Sequence, residues 1–233
     1  MTGPPSATPP RLYVLTPDTC DASRVGELAR ICKTVADARP SARLGFVVRV
    51  APEHLDSSAR AAAKELAESH VQLTVKVAGD ALSVDMALAL ARDVGAAAVH
   101  LGSREGRFDD VLRALDAFEG RVSVAIHRDE ESMHLARILE PRDAGRVDAF
   151  VSPVFATPGK GDPRGAPALS AARAAFAASG AGAGMQARVI ALGGIDLARA
   201  AECFAAGADA IAVIRSVSAA VDPVAALRAL AAV

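Results

Sequence analysis

The sequence VIALGGID, residues 189–196, contains the feature that decides the fold. Four apolar residues run directly into Gly193 and Gly194, and an acidic residue then opens an Ala-rich stretch of helical period. A buried strand that passes into a helix is the repeating unit of parallel α/β proteins. The two glycines permit a tight turn, and they also permit a ligand to approach the backbone closely. The stretch therefore raises one question about the fold and one about function.

The same alternation of strand and helix repeats along the chain. We predict eight strands, at residues 12–16, 44–50, 73–79, 97–102, 122–127, 149–155, 188–194 and 210–216. Helical patterns separate them, and several begin near Asp, Ser or Glu and end at Gly, as helix capping favours. Eight such units in 233 residues predict a single (β/α)8 TIM barrel with its site at the C-terminal ends of the strands. A doubly wound open sheet is the alternative, but no G-x-G-x-x-G motif follows the first strand.

Composition and charge exclude several classes of protein. Residues 1–10 contain four prolines, so we expect a disordered tail followed by a barrel domain over residues 11–233. The net charge of −1 indicates binding neither to nucleic acid nor to a membrane surface. We find neither a membrane span nor a signal segment, and expect a soluble, cytoplasmic protein. The three cysteines have no C-x-x-C spacing, which argues against a zinc site or a disulfide framework.

The ends of the last two strands predict a phosphate-binding site. In TIM barrels, the loops after strands seven and eight commonly hold a phosphate on backbone N–H groups. Gly193 and Gly194 end the seventh predicted strand, and Arg215 and Ser216 end the eighth and offer further donors. The alternative is that the glycine pair only permits a turn.

The sixth strand leads into FATPGKGDPRGAP, residues 155–167, which is too long for a simple connector. Loops of this kind often serve as active-site lids, and Lys160 or Arg164 would then close over an anion. A solvated surface loop is the alternative.

Charged and titratable residues at other strand ends suggest the chemistry. His127 ends strand five, where an imidazole faces the barrel mouth and is suited to proton transfer at neutral pH. His100 lies inside strand four, and we expect it to pack rather than react. Arg49 and Lys76 interrupt apolar strands, which is costly unless each faces a polar mouth or an anion. Glu105 follows strand four, but a single carboxylate is weak evidence for Mg²⁺.

Taken together, these segments resemble the family of thiamine-phosphate synthases and TenI-like thiazole tautomerases. The resemblance rests on five segments in this order: RLYVLT (11–16), VHLG (99–102), DAFVSPVFATPGK (148–160), VIALGGI (189–195) and GADAIAVIRSVSAAVDP (207–223). It implies a homodimeric TIM barrel of thiamine biosynthesis whose ligand is a phosphorylated thiazole. It also implies that the phosphate lies on backbone near Gly193, Gly194, Ile214, Arg215 and Gly165.

The family's two activities need different residues. A synthase couples a pyrimidine diphosphate to the thiazole phosphate, and needs Mg²⁺ and a cationic cradle for the leaving diphosphate. The resemblance implies contacts for these that the chain lacks: Arg49 is not followed two residues later by Lys, and the Asn-Asp pair after strand three is absent. Glu105, Ala125, Gly159 and Arg215 also stand where that pattern has Asp, Ser, Thr and Ser.

A tautomerase needs only a proton shuttle, and its histidine at the end of strand five matches His127. We therefore predict a thiazole tautomerase, an isomerase without metal or other cofactor, with His127 as the catalytic residue. The side chains expected to face the substrate are Arg49, Lys76, Thr157 and Lys160. One alternative is a divergent, Mg²⁺-dependent synthase, a transferase that would use Asp80 and Glu105 for the metal. Another is a non-catalytic barrel that binds a phosphorylated ligand.

Overall fold

The computed structural model describes residues 8–17, 20–50, 57–77, 84–102, 106–178 and 186–233. Eight parallel strands close into a barrel in chain order, because β1 pairs with β8 as well as with β2. The strands are β1 (Leu12–Leu15), β2 (Leu44–Val50), β3 (Gln72–Val77), β4 (Ala98–Leu101), β5 (Arg121–Ile126), β6 (Val147–Val151), β7 (Arg188–Leu192) and β8 (Ala210–Val213). The predicted single TIM barrel is confirmed.

Helices lie between consecutive strands and cover the barrel. They are α1 (Ala22–Ala38), α2 (Ser57–Ala67), α3 (Val84–Val94), α4 (Arg107–Ala117), α5 (Asp129–Ile138), α6 (Pro141–Ala144), α7 (Pro167–Ala177), α8 (Leu197–Ala205), α9 (Arg215–Ser218) and α10 (Pro223–Leu230). Asp21, Asp196 and Asp222 cap α1, α8 and α10, each accepting a hydrogen bond from the amide three residues later. None of the described helices combines the length and the hydropathy that crossing a bilayer requires.

The apolar core has two parts. The larger part lies between the strands and the helices, and the smaller part fills the barrel interior with Tyr13, Leu15, Val47, Phe150, Ile190, Ala210 and Ala212. This is the packing that a TIM barrel requires, since its interior is filled by side chains and leaves no pore.

A buried charged cluster closes the N-terminal end of the barrel. Asp148 on β6 is 1% exposed, accepts a 2.9 Å hydrogen bond from the hydroxyl of Tyr13, and pairs with the guanidinium groups of Arg121 and Arg188. Burial, followed by the charge of Asp148, raises the pKa of Tyr13 far above its ordinary value. The hydroxyl therefore stays protonated and donates. These contacts place the polar base of the barrel opposite the mouth, where the candidate site lies.

Most strands are shorter than the sequence predicts, especially at their C-terminal ends. Strand β8 ends at Val213, and Arg215 and Ser216 begin the short helix α9, so the prediction that they lie in a strand was wrong. An apolar run does not by itself show where the strand stops and the turn begins. At the other end of the chain, residues 1–7 of the predicted tail lie outside the described residues, whereas Pro10 is buried and its carbonyl accepts a hydrogen bond from Arg188.

Candidate active site

A cavity of about 400 Å³ opens at the C-terminal ends of β7 and β8. It brings together most of the residues that the sequence singled out for ligand binding. The predicted residues that line it are Arg49, Thr157, Lys160, Gly193, Gly194, Ile214, Arg215 and Ser216. Its position matches the phosphate site common among TIM barrels, and its lining supplies both backbone amides and cationic side chains.

The glycine pair after β7 is required by the fold itself. Gly193 and Gly194 have φ values of 105° and 64°, which side-chain-bearing residues rarely adopt. A Cβ on Gly193 would lie 2.8 Å from the Cα of Pro153, and one on Gly194 would lie 2.7 Å from the carbonyl oxygen of Ala156. The glycines therefore let the β7 loop pack directly against the loop after β6. This close packing does not depend on a ligand. Gly193 and Gly194 can therefore be required for the turn and also line a ligand-binding cavity.

The turn after β8 offers backbone donors to the same cavity. The amides of Arg215 and Ser216 are the first two of α9, so they have no carbonyl one turn earlier to bond. The hydroxyl of Ser216 donates to the carbonyl of Ile195 and thereby ties the β7 and β8 loops together. With the hydroxyl proton used in this way, Ser216 offers a ligand its amide.

Cationic side chains outnumber carboxylates around the cavity. Arg49, Lys160, Arg199 and Arg215 line it together with one carboxylate, that of Asp196. Arg49 is only 7% exposed and is fixed to the end of β1, because its Nε donates to the Thr16 carbonyl at 2.7 Å. An excess of fixed positive charge in a concave site favours an anionic ligand.

Arg199 is a lining residue that the sequence analysis missed. Its Nη1 donates to the carbonyl of Gly194 at 2.7 Å, and its guanidinium lies 5.0 Å from the centre of the Phe155 ring. It therefore clamps the β7 turn against the β6 loop and also places a positive charge beside the glycines. A signal was present, because Asp196 caps α8 and a residue three positions later lies in the first turn, at the barrel mouth.

The loop after β6 is anchored at its neck, and its tip reaches the cavity. Thr157 and Lys160 close a turn, with the Lys160 amide donating to the Thr157 carbonyl at 3.1 Å. Arg164 pairs with Asp129 and donates to the carbonyl of Ile126, so it tethers the loop to the end of β5 and is not aimed at the mouth. The predicted loop cation is therefore Lys160. Closure of the loop as a lid stays a prediction.

Gly165 does not line the cavity, although the resemblance implied that it neighbours the phosphate. Its amide donates to the carbonyl of Val154 at 2.9 Å and helps to close the neck of the β6 loop. With φ at 73° it turns the chain just before α7.

His127 at the end of β5 has a defined orientation. Its Nδ1 lies 2.8 Å from the carbonyl oxygen of Ser152, which can only accept, so Nδ1 carries the ring proton and Nε2 is the basic nitrogen of the neutral ring. Its amide donates to Glu131 at 2.7 Å. His127 is half-buried and is absent from the lining of the described cavity. The structure thus confirms the strand-end position and leaves the catalytic role a prediction.

Glu131 organises the turn that carries His127. It accepts hydrogen bonds from Arg107 at 2.7 Å and from Arg128 at 3.1 Å as well as from the His127 amide. Although burial of its side chain opposes ionisation, these donors lower the pKa of Glu131 to about 2. The carboxylate is therefore charged throughout the physiological range and stabilises this corner of the mouth.

His100 on β4 is buried, and Lys76, near the C-terminal end of β3, is partly exposed. His100 packs 4.9 Å from the ring centre of Phe150, and its Nδ1 is 2.9 Å from the Ser123 hydroxyl. Burial, together with the charges of Lys76 and Arg49, lowers the pKa of His100 well below its usual value, so the ring is neutral. Lys76 is in register with Arg49 on the neighbouring strand but is not among the residues lining the described cavity.

The comparison with known proteins decides the family. Residues 20–217 match the family model described as thiamine monophosphate synthase. The chain belongs to this family. A thiamine-phosphate synthase from Chromobacterium violaceum is 33% identical over 226 residues, covering 96% of this chain and 97% of that one. A thiamine-phosphate synthase from Mycobacterium leprae is 35% identical over 142 residues, which cover 60% of this chain and 56% of the relative.

Solved structures support the same barrel. A thiamine phosphate pyrophosphorylase from Pyrococcus furiosus has a TM-score of 0.62 at 21% identity, covering 94% of this chain and 93% of that one. An orotidine 5'-phosphate decarboxylase from Pyrococcus horikoshii has the same TM-score at 17% identity, covering 94% of this chain and 96% of that one. Likeness at these identities shows the fold alone. Since proteins with different names share this barrel, function within it must be argued from the site.

Membership of the thiamine monophosphate synthase family raises the question of whether the chain has residues that could hold a metal ion. Asp80 and Glu105, the predicted ligands of a synthase metal, lie outside the described residues. The part of the chain that the structure describes has no group of three or more His, Cys, Asp or Glu placed to hold a metal ion. A donor set for Mg²⁺ is therefore not among the described residues.

Proposed function

We propose that this family member couples a pyrimidine diphosphate with a thiazole phosphate to give thiamine phosphate. Two findings support a transferase of this kind over the tautomerase that the sequence alone favoured. One is the similarity to a thiamine-phosphate synthase along 97% of that relative's length. The other, which carries the proposal, is the arrangement of cations on two sides of the mouth: Arg199 and Arg215 on the β7 and β8 side, and Arg49 and Lys76 on the β2 and β3 side.

This separation suits two anionic substrates that must meet. The phosphate of the thiazole would lie on the amides at the β7 and β8 turns, next to Arg215 and Lys160. Its ring nitrogen would then point across the mouth and attack the exocyclic methylene carbon of the pyrimidine. As the new C–N bond forms, the bond from that carbon to the diphosphate oxygen breaks, and diphosphate leaves with the electron pair. The nitrogen becomes the cationic nitrogen of the thiazolium, so no proton transfer is needed in this step.

The role of Arg49 follows from where negative charge develops. Charge builds up on the leaving diphosphate in the transition state, and a fixed cation at that point lowers the activation free energy without having to reorganise. The bond from Arg49 to Thr16 holds the guanidinium in place before the substrate arrives. Mg²⁺, when bound, neutralises diphosphate charge.

The test is coupling of the two substrates in the presence of Mg²⁺, with thiamine phosphate measured by chromatography. Arg49→Ala should lower kcat by about 10²-fold to 10³-fold, the usual effect of removing one preorganised electrostatic group. Arg30→Ala is the matched control, because Arg30 is an exposed arginine on the outer helix α1. Absence of product from the wild-type protein, or equal rates for the two variants, would contradict the proposal.

The thiazole tautomerase remains the second candidate, and the geometry of His127 favours it. The Ser152 carbonyl fixes the tautomer in which Nε2 is the basic nitrogen, as a proton shuttle needs. The sequence departures at Ala125, Gly159 and Arg215 from the synthase pattern point the same way. A tautomer-conversion assay distinguishes the two: turnover that His127→Ala abolishes, in a protein that makes no thiamine phosphate, would favour the tautomerase. Binding of thiazole phosphate without either turnover would indicate a non-catalytic barrel.

A further inference from the structure

A second cavity, of about 220 Å³, lies at the end of the barrel opposite the mouth. Arg11 directly precedes β1 and Arg43 directly precedes β2, so both stand at the N-terminal ends of their strands. Arg39 follows α1 and lines the same cavity. Three arginines therefore surround one small space, which we call the arginine cavity.

Positive charge exceeds negative charge around this cavity, since three guanidinium groups line it together with a single α-carboxylate, that of Val233. No carboxylate side chain is among its lining residues, and none of the three arginines forms an ion pair with any other residue that the structure describes. By contrast, Arg121 and Arg188 at the same end of the barrel are both paired with Asp148. Clustered like charges repel one another and destabilise the folded state, and a bound anion removes that penalty.

The backbone around the cavity adds a second observation. Arg43 has φ 47° and ψ 65°, and among the described residues it is the one non-glycine with positive φ. Glycine would adopt this conformation without strain, and an arginine there carries a conformational cost. The Arg43 carbonyl accepts the amide of Arg11 at 2.9 Å, which holds the two residues side by side.

The walls of the cavity orient one of the cations. The guanidinium of Arg11 lies 4.4 Å from the centre of the Phe204 ring, in a cation–π contact. Leu12 and Leu230 complete an apolar side.

We infer that the arginine cavity binds a small phosphate-bearing anion with at least two negative charges, at a site separate from the mouth. Guanidinium groups bind phosphate oxygens in pairs of parallel hydrogen bonds, and three of them provide for more than one charge. The cavity's volume suits a small ion, and a net charge of −1 gives no extended basic surface for a nucleic acid.

The test uses inorganic diphosphate as the probe, titrated calorimetrically into the full chain without divalent metal. The cavity variant carries Arg39→Ala and Arg43→Gly. Glycine is chosen at position 43 because it adopts the positive φ without strain, so the variant should still fold. Arg137→Ala, an exposed arginine on α5, is the matched control. Since the mouth also attracts diphosphate, a mouth variant, Arg49→Ala with Arg215→Ala, separates the two sites.

The expected result is diphosphate binding in the mouth variant that the cavity substitutions weaken and Arg137→Ala does not. Arg39→Ala alone should weaken it by about 10-fold to 150-fold, the usual effect of losing a charge-assisted hydrogen bond. The thermal unfolding midpoint of the cavity variant without ligand should not fall below that of the wild type. Equal diphosphate binding by the cavity variant and the wild type, or complete loss of binding in the mouth variant, would overturn the inference.

Discussion

The close approach of the β7 turn to the β6 loop leads to a quantitative prediction about Gly194. In Gly194→Ala the new Cβ would lie 2.7 Å from the Ala156 carbonyl oxygen and 2.8 Å from the Cβ of Phe155. Both atoms belong to backbone or to the base of a side chain, so neither can move without shifting the loop. The φ of 64° adds the ordinary cost of a left-handed alanine.

The magnitude follows from these two costs. A left-handed non-glycine residue costs about 1–2 kcal/mol, and overpacking at a tight contact adds about 1–3 kcal/mol. We therefore expect Gly194→Ala to lower the free energy of unfolding by about 2–5 kcal/mol. Gly106→Ala is the matched control, because Gly106 has φ 73° but a Cβ there would have no atom within 4 Å. It should lose about 1–2 kcal/mol.

Urea unfolding of both variants, read by far-ultraviolet circular dichroism, measures the difference. Titration with thiazole phosphate then measures the consequence for binding, since a displaced β7 turn misplaces the amides beside it. We expect affinity to fall at least tenfold in Gly194→Ala and to be unchanged in Gly106→Ala. Equal losses of stability in the two variants would refute the argument that the close approach requires glycine at this turn.

Three further predictions concern the rest of the barrel. Asp148→Asn leaves two largely buried guanidinium groups without their counter-charge, so the free energy of unfolding in urea should fall by about 3–5 kcal/mol. A loss below about 1 kcal/mol would contradict this. The pKa of Glu131 is about 2 in the folded protein against an ordinary 4.5, so its stabilisation is full above pH 4.5 and is lost as pH falls toward 2. Over this range the unfolding free energy of the wild type should decrease by up to about 3 kcal/mol more than that of Glu131→Gln. Parallel pH profiles of the two proteins would refute this prediction. Burial raises the pKa of Cys32, and burial followed by the charge of Glu202 raises the pKa of Cys203 to about 11. Mass spectrometry should therefore find both cysteines unalkylated in native protein treated with iodoacetamide at pH 8. Rapid labelling of either cysteine would be inconsistent with its burial.

The fold could be predicted from the sequence because each βα unit carries its own local signals. Strand β2, residues 44–50, has the predicted bounds, since Pro52 and the polar residues Glu53 and His54 follow soon after its end. Strand β8 was predicted too long, because Ile214 continues the apolar run although the strand has ended and α9 begins at Arg215. Hydrophobic periodicity marks burial, and burial continues past the point where strand pairing stops.

The sequence predicted those parts of the candidate site in which a residue type requires a particular backbone conformation. It predicted less well which charged side chains reach the cavity. Gly193 and Gly194 signal a turn at a strand end, and the structure places them in the cavity. Arg164 and Lys160 look equivalent in sequence, yet Arg164 is tethered to Asp129 while Lys160 lines the cavity. The Asp196 cap indicated that Arg199 lies at the barrel mouth, but its contact with Phe155 depends on the three-dimensional approach of α8 to the β6 loop.

The central claim is that a phosphorylated ligand lies on the turns after β7 and β8. A crystal structure of the protein with thiazole phosphate tests it most directly. We predict phosphate oxygens within hydrogen-bonding distance of the backbone amides of Gly194 and Ser216, with the thiazole ring directed toward Arg49. A phosphate bound elsewhere, with these amides facing only solvent, would contradict the claim.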